Sequence, residues 1–322
     1  MTKNLISFAV AGILAGGMSA VHANNNTTIF GKVLVSIDNT DNGTTDDTQL
    51  QSRNGFGAIG VKGSEDLGNG LTAMFHLEYG TDPSEAAGLT GRDQWLGLKG
   101  DFGAVRLGAM SHNYKMSGAK LDPFWRTSLD SRDHSMMSGL HAGAGENGQG
   151  RARNTVRYDS PSFNGAKVVA NYTLDSGADG NDGYGIGLHY DQGPLFAAVD
   201  YITNDNGGED DAWKIGAKYS MDAFAVYGHY EQGGLVSGDL SGAGSDDADL
   251  WHLGGSFTMG STMLYGAFGQ GDNGAGTEYD TWTLAVKHSM SKRTSVYGGF
   301  AQVDVDGGAE SDMFTVGMVH NF

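Results

Sequence analysis

A sixteen-stranded antiparallel transmembrane β-barrel with a long, inward-folded third loop is the fold this sequence predicts. Three observations predict it. The chain divides into sixteen short runs of period-2 hydrophobicity, an even number. The connections between runs alternate between tight turns and longer acidic, Gly/Asn-rich loops, as at the two ends of an outer-membrane barrel. The last twelve residues alternate cleanly and finish on an aromatic. Phe314, Val316, Met318, His320 and Phe322 share one face, and Met313, Thr315, Gly317, Val319 and Asn321 share the other.

Residues 1–23 read as a secretory signal peptide. Lys3 supplies a positive start, residues 5–18 are apolar and small, and Val21-His22-Ala23 offers a small-x-small cleavage site. Cleavage after Ala23 starts the mature chain at Asn24; Ala20 is the second choice. No later segment approaches the ~20 apolar residues of a membrane-spanning helix. An exported chain of this kind is either a secreted soluble protein or a closed barrel, which satisfies its backbone inside lipid. Composition favours the barrel, with 53 Gly, 4 Pro, 14 Phe, 13 Tyr and 5 Trp. The absence of cysteine removes any disulfide framework. Without residues 1–23 the chain carries 19 basic and 38 acidic residues, a net of −19 that excludes nucleic acid as a partner.

Residues 24–322 form one barrel domain with no linker. The first run, 28–38, places Ile29, Val33, Val35 and Ile37 on one face and Lys32, Leu34 and Ser36 on the other. The runs 55–62, 71–80, 91–99 and 104–111 follow, and then 151–159, 166–174, 183–191 and 195–203. The remainder are 212–220, 224–232, 248–259, 262–270, 279–289, 294–303 and 312–322. Tight turns fall at 64–70, 100–103, 160–165, 192–194, 221–223, 260–261 and 290–293. Aromatics near run ends, among them Tyr79, Trp95, Tyr158, Trp213, Tyr219, Tyr227, Tyr265 and Tyr297, fit interfacial girdles. Sixteen strands enclose a water-filled lumen, whereas about eight fill their own interior with side chains.

One connection is out of scale. Residues 112–150 show no sustained alternation, and a loop beyond ~15 residues in a compact fold is functional or disordered. Leu121-Asp122-Pro123-Phe124-Trp125 is too apolar for solvent. Around it stand Asp122, Asp130, Asp133 and Glu146 beside Lys115, Lys120, Arg126 and Arg132. The segment reads as a constriction loop folded into the barrel.

An ordered set of motifs now carries a family resemblance. It comprises Phe30-Gly31-Lys32, Gly63-Ser64-Glu65-Asp66-Leu67-Gly68-Asn69-Gly70-Leu71, Arg92-Asp93-Gln94-Trp95-Leu96-Gly97-Leu98 and Gly103-Ala104-Val105-Arg106-Leu107-Gly108. It continues with Asn154-Thr155-Val156-Arg157-Tyr158-Asp159-Ser160-Pro161-Ser162-Phe163 and the terminal Phe322. The chain resembles the general porins, trimeric diffusion channels of Gram-negative outer membranes. The resemblance implies a homotrimer in the bilayer beside lipopolysaccharide. It also implies that Phe322 is the signal read by the outer-membrane barrel assembly machinery. It further implies an eyelet where loop acids Asp122, Asp130 and Asp133 face a basic wall of Lys32, Arg92 and Arg151. Parity adds Arg153, since Arg151, Arg153, Thr155 and Arg157 alternate with Val156 and Tyr158. The implied function is passive diffusion of ions and small hydrophilic solutes, with no cofactor and no catalysis.

The chain departs from that pattern in places. Ala58 and Ala109 stand where relatives carry basic residues, Arg53 and Arg106 are the candidates to compensate, and the relatives' Pro-Glu-Phe-Gly-Gly core is absent. A thinner basic wall in a −19 chain points to cation preference. The alternatives are a solute-specific channel with Phe124 and Trp125 on a binding track, or a surface β-rich adhesion protein without a pore. Gly55-Phe56-Gly57-Ala58-Ile59-Gly60 matches a dinucleotide fingerprint but lies within a strand pattern with no helix after it. The Asp/Asn/Gly cluster at 175–183 lacks the terminal Glu of a calcium loop. His134 and His141, within the loop, are candidates for titration near neutral pH.

Overall fold

Period-2 runs too polar on one face to be a buried sheet, and too long to be left unpaired, close on themselves. The computed structural model describes residues 26–52, 56–141, 144–145, 150–174, 182–204, 210–236 and 248–322. The signal peptide assigned to 1–23, Arg53, Glu146 and most of the 175–183 cluster lie outside the described residues. The strands are β1 (Asn26–Asp41), β2 in two pieces (Asp46–Gln51 and Gly57–Gly68), β3 (Leu71–Thr81), β4 (Thr90–Gly100) and β5 (Gly103–Ser111). After the long loop come β6 (Arg151–Asp159), β7 (Ala166–Thr173), β8 (Gly183–Gln192), β9 (Leu195–Asn204) and β10 (Asp210–Met221). The remainder are β11 (Phe224–Gln232), β12 (Asp249–Met259), β13 (Thr262–Asp272), β14 (Glu278–Ser289), β15 (Thr294–Val305) and β16 (Glu310–Asn321). Each pairs antiparallel with its sequence neighbours, giving a closed barrel of sixteen strands.

Closure is made by β1 and β16, in register from Lys32↔Asn321 to Asp41↔Asp312. Phe322 completes it: its N–H and C=O exchange hydrogen bonds of 3.0 Å with Gly31. Its ring lies over that residue, so that a Cβ on Gly31 would sit 2.2 Å from Phe322 Cζ. Only glycine lets the last ring cover the seam. At the β2–β3 turn, Asn69 (φ 52°) and Gly70 (φ 77°) are both left-handed, the geometry that matches strand twist in a two-residue hairpin.

The faces follow the sequence parity. Ile29, Val33 and Ile37 point outward with Phe314, Val316 and Met318, whereas Leu34, Ser36, Asp38, Met313 and Thr315 are buried inside. The outward face is apolar along its length, through Ile186, Leu188, Val199, Ile215, Leu253 and Leu284. Four of the aromatics expected in girdles differ. Trp95, next to the exposed Leu96, turns inward and stacks on His76 at 5.5 Å. Tyr227, Tyr265 and Tyr297 are buried, because the parity that points Leu264 and Phe268 outward turns Tyr265 inward. They pack with Phe124, Leu129 and Met136 of the long loop into one apolar cluster. The apolar packing inside the barrel is therefore loop against wall.

Candidate functional site

The long loop opens with helix α1 (Asn113–Gly118), whose preceding residue His112 caps it through its ring, accepting from Lys115 N–H. Six residues do not hold a helix in water; the inner wall holds this one. Asp200 Oδ1 on β9 accepts from Asn113 Nδ2 at 2.7 Å, and Asp200 Oδ2 accepts from Ser117. Asn171 on β7 accepts from Asn113 N–H at 3.0 Å. Glu231 Oε2 on β11 accepts from Tyr114 OH at 3.0 Å and from Ser138 Oγ at 2.5 Å. Between the two carboxylates, Lys214 on β10 donates to the Tyr114 carbonyl and, 2.7 Å away, to His141 Nε2. The approach is close: a Cβ on Gly185 of β8 would meet Asn113 Oδ1 at 2.4 Å.

Beyond α1 the chain runs across the inside of the barrel. Phe124 is fully buried against Tyr265 and Tyr297, with ring centroids at 5.3 and 6.3 Å, a burial worth roughly 1.5–3 kcal/mol. Wall side chains then take up loop carbonyls in turn. Lys287 donates to Pro123 O (2.8 Å), Lys32 to Arg126 O, Thr281 to His134 O (2.7 Å) and Tyr279 to Ser135 O (2.9 Å). His252 Nδ1 lies 3.0 Å from Met136 O. Ser36 and Ser128 bond through their hydroxyls at 2.8 Å. The tip reaches the far side: Arg126, left-handed at φ 60°, donates to Phe56 O at 2.8 Å and lies 3.5 Å from Glu78 on β3. The loop thus lines the wall from β7 round to β3, and its Ala144–Gly145 pairs in parallel with Arg151–Ala152 of β6.

Close to one another beside β3–β6 are the guanidiniums of Arg126 and Arg132 from the loop and of Arg92 and Arg151 from the wall. Burial and then Arg92 push Arg126 down to about 10, with Glu78 opposing and Arg151 and Arg132 adding. Lys115 is pushed well below its ordinary value by burial, then by Arg151 and Arg132, against Asp93. Acids at this level are taken up by these arginines. Glu78 pairs with Arg92 and Arg126, Asp93 with Arg151 at 2.5 Å, and Asp130 with Arg132. Arg132 also lies over the rings of Trp125 (3.9 Å) and Phe56 (4.9 Å). One rung away, Arg157 and Arg106 share Asp159, and Arg106 stacks on Trp95 at 5.1 Å.

The residues singled out in the sequence are distributed unevenly. Arg92 and Arg151 stand close together, and Arg153 is exposed two residues on, beside a left-handed Asn154 that interrupts the parity of the strand. Lys32 is on the inner face, but its amine clamps the loop. Asp122 and Asp130 do not face the basic wall. Both are buried within the loop, where Asp122 accepts from Phe124 N–H (2.7 Å) and Ser131 N–H (2.8 Å) and Asp130 caps the turn at Ser131–His134. A tight turn offers unpaired N–H groups at the distance where a carboxylate gains most. Asp133 is half-buried. His141 is fully buried and held well below its usual range by burial, with Glu231 opposing and Lys214 adding, so it does not titrate near neutral pH.

The residues that hold the loop, Asp200, Lys214, Glu231, His252, Tyr279 and Thr281, were not anticipated. Their inward parity was readable in the sequence; what covers them was not.

The sequence profile of the Gram-negative porin family matches residues 7–308. Among individual relatives, the major outer membrane protein P.IB of Neisseria gonorrhoeae is 30% identical over 207 residues, 61% of this chain and 56% of that protein. Its counterpart in Neisseria meningitidis serogroup B, strain MC58, is 30% identical over 213 residues, 61% and 57%. The matched stretch thus spans little more than half the length of these relatives. Solved structures share the fold over nearly the whole chain. The anion-selective porin from Comamonas acidovorans superposes with TM-score 0.78 at 24% identity, covering 93% of this chain and all of that one (100%). OmpT of Vibrio cholerae, described as a trimer form, gives 0.68 at 14%, covering 92% and 99%.

Proposed function

The chain belongs to the Gram-negative porin family, and on that premise we propose that it is an outer-membrane channel for passive diffusion of ions and small hydrophilic solutes. The observation that carries the reading is the loop crossing the inside of a barrel whose outer face is apolar. Solute passes between the loop's Trp125, Arg126 and Arg132 and the wall's Arg92, Arg151 and Arg153. The related trimer supports assembly in threes, and the seam at Phe322 supports its reading as the assembly signal.

Ion preference follows the charge nearest the path. The expected cation preference rested on a thinner basic wall in a strongly acidic chain, but Asp122 and Asp130, the acids expected to face that wall, are turned into the loop. Arginines outnumber the acids they pair with at the same level, so the site supports anion preference. The anion-selective relative is consistent with this. A solute-specific channel is the second reading, favoured by the Phe56–Arg132–Trp125 stack.

The test is a planar bilayer with reconstituted protein under a KCl gradient. We expect ohmic steps closing in threes and a reversal potential on the chloride side. A potassium-side potential overturns the ion preference alone. Folded protein that never conducts overturns the channel. Conductance that saturates and is blocked by one solute class favours the second reading.

A further inference from the structure

The geometry points to Asp200 and Glu231 as positioning residues that hold α1 against the wall and thereby keep the channel's opening at one size. The inference rests on the channel reading above. Both carboxylates are wholly buried on the inner faces of β9 and β11, beneath the loop. Burying an ionised carboxylate is costly unless its oxygens are paired, and these oxygens are paired chiefly by the loop. Asp200 takes Asn113 and Ser117, and Glu231 takes Tyr114 and Ser138, so both acids hold α1 and Glu231 ties it to the later part of the loop as well. Wall histidines stand beside both: His189 Nε2 bonds Asp200 Oδ1 at 2.8 Å, and His229 Nε2 lies 2.8 Å from Glu231 Oε1 without hydrogen-bond geometry. Lys214 sits between them and binds the Tyr114 carbonyl and His141.

Neither acid reaches the path. Their influence on permeation runs through the loop, which separates this role from that of the eyelet arginines. Those act on ion preference; these act on whether the opening keeps one size. With both clamps gone, α1 has no internal reason to persist, and the loop moves into the space the solute uses.

Two sets of variants test it in single-channel recordings. D200A/E231A should give multilevel, noisy currents, with an undocked population raised on the order of a hundredfold, while the reversal potential of the open level stays that of the parent. Steady parental conductance in this variant, with its heat-modifiable band intact, overturns the proposal. The second set needs no comparison of folding yields. The chain has no cysteine, so S117C/D200C carries one possible disulfide. In the same molecules, oxidant should give steady conductance and reductant should give noise. Indifference to reductant, with the disulfide shown by mass, also overturns it. A parent protein that never conducts is a failure of the channel reading and is recognised before any variant is made.

Discussion

Acidifying the solution from pH 6.5 to 5 should loosen the loop. His112 and His141 are fully buried beneath it. Burial holds His112 down to about 3, with Lys115 and Lys214 adding and Asp200 opposing. Burial likewise holds His141 well below its usual range, against Glu231 and helped by Lys214 and His229. An undocked loop returns both imidazoles to water, where they titrate near 6.5. Below 6.5 the undocked state therefore binds more protons. Docking is fully favoured above that pH and is lost as pH falls towards 3, at about 1.4 kcal/mol per unit for each histidine. Asp122 works the other way. Burial and then Asp130 lift it above the usual carboxylate range, against the Ser131 and Phe124 amides, so its docked form binds the extra proton. Counting these three groups alone, two histidines against one carboxyl leave a net of about one proton. Over 1.5 pH units that is about 2 kcal/mol, or roughly thirtyfold more undocked loop at pH 5. Closing events and open-channel noise, recorded in symmetrical KCl at pH 7, 6.5, 5 and 4, read this directly. Currents as steady at pH 5 as at pH 7 would refute the reasoning, and currents that grow steadier would reverse its sign.

Two further outcomes concern the barrel. Gly31→Val places a Cβ 2.2 Å from the Phe322 ring and 2.7 Å from Ala58 O, an overpacking worth about 1–3 kcal/mol; the temperature at which the folded band shifts in SDS should fall, and an unchanged temperature contradicts the seam. Ile186→Arg on the outward face should cost about 2–4 kcal/mol if that face meets the bilayer midplane. Folding yield into vesicles then drops while Ile186→Leu folds normally, and equal yields remove Ile186 from the lipid face.

The wall was legible because a strand has a period of two and a barrel has only two faces. Ile29, Val33 and Ile37 against Leu34 and Ser36 could be assigned from the sequence, and so could Phe314, Val316 and Met318. What the period does not carry is the identity of whatever lies on the inner face. Asp200, Lys214 and Glu231 alternate inward just as water-exposed lumen residues do, and their partners lie about a hundred positions away, with sequence separations of 87, 100 and 117. Proximity to a strand end suggested girdles for Tyr227, Tyr265 and Tyr297, yet their parity was the better guide. Asp122 and Asp130 show a different limit. An acid in a loop reads the same whether it meets a guanidinium across the lumen or the N–H groups of its own turn, and here the turn won.

That outcome separates two scales of charge. The full chain carries −18, and much of the acid sits at exposed strand ends and turns such as Asp41, Asp46, Asp47, Asp306 and Glu310. At physiological salt a charge is screened over about 8 Å, so these acids act on the concentration of ions at the mouth and hardly at all on the choice made beside Arg92 and Arg151. There the nearest acids, Glu78, Asp93 and Asp130, are held by arginines in direct contact. On the proposed anion-preferring reading, an acidic protein with a basic eyelet contains no contradiction: net charge bears on what approaches, and the guanidiniums within one screening length of the proposed path on what passes.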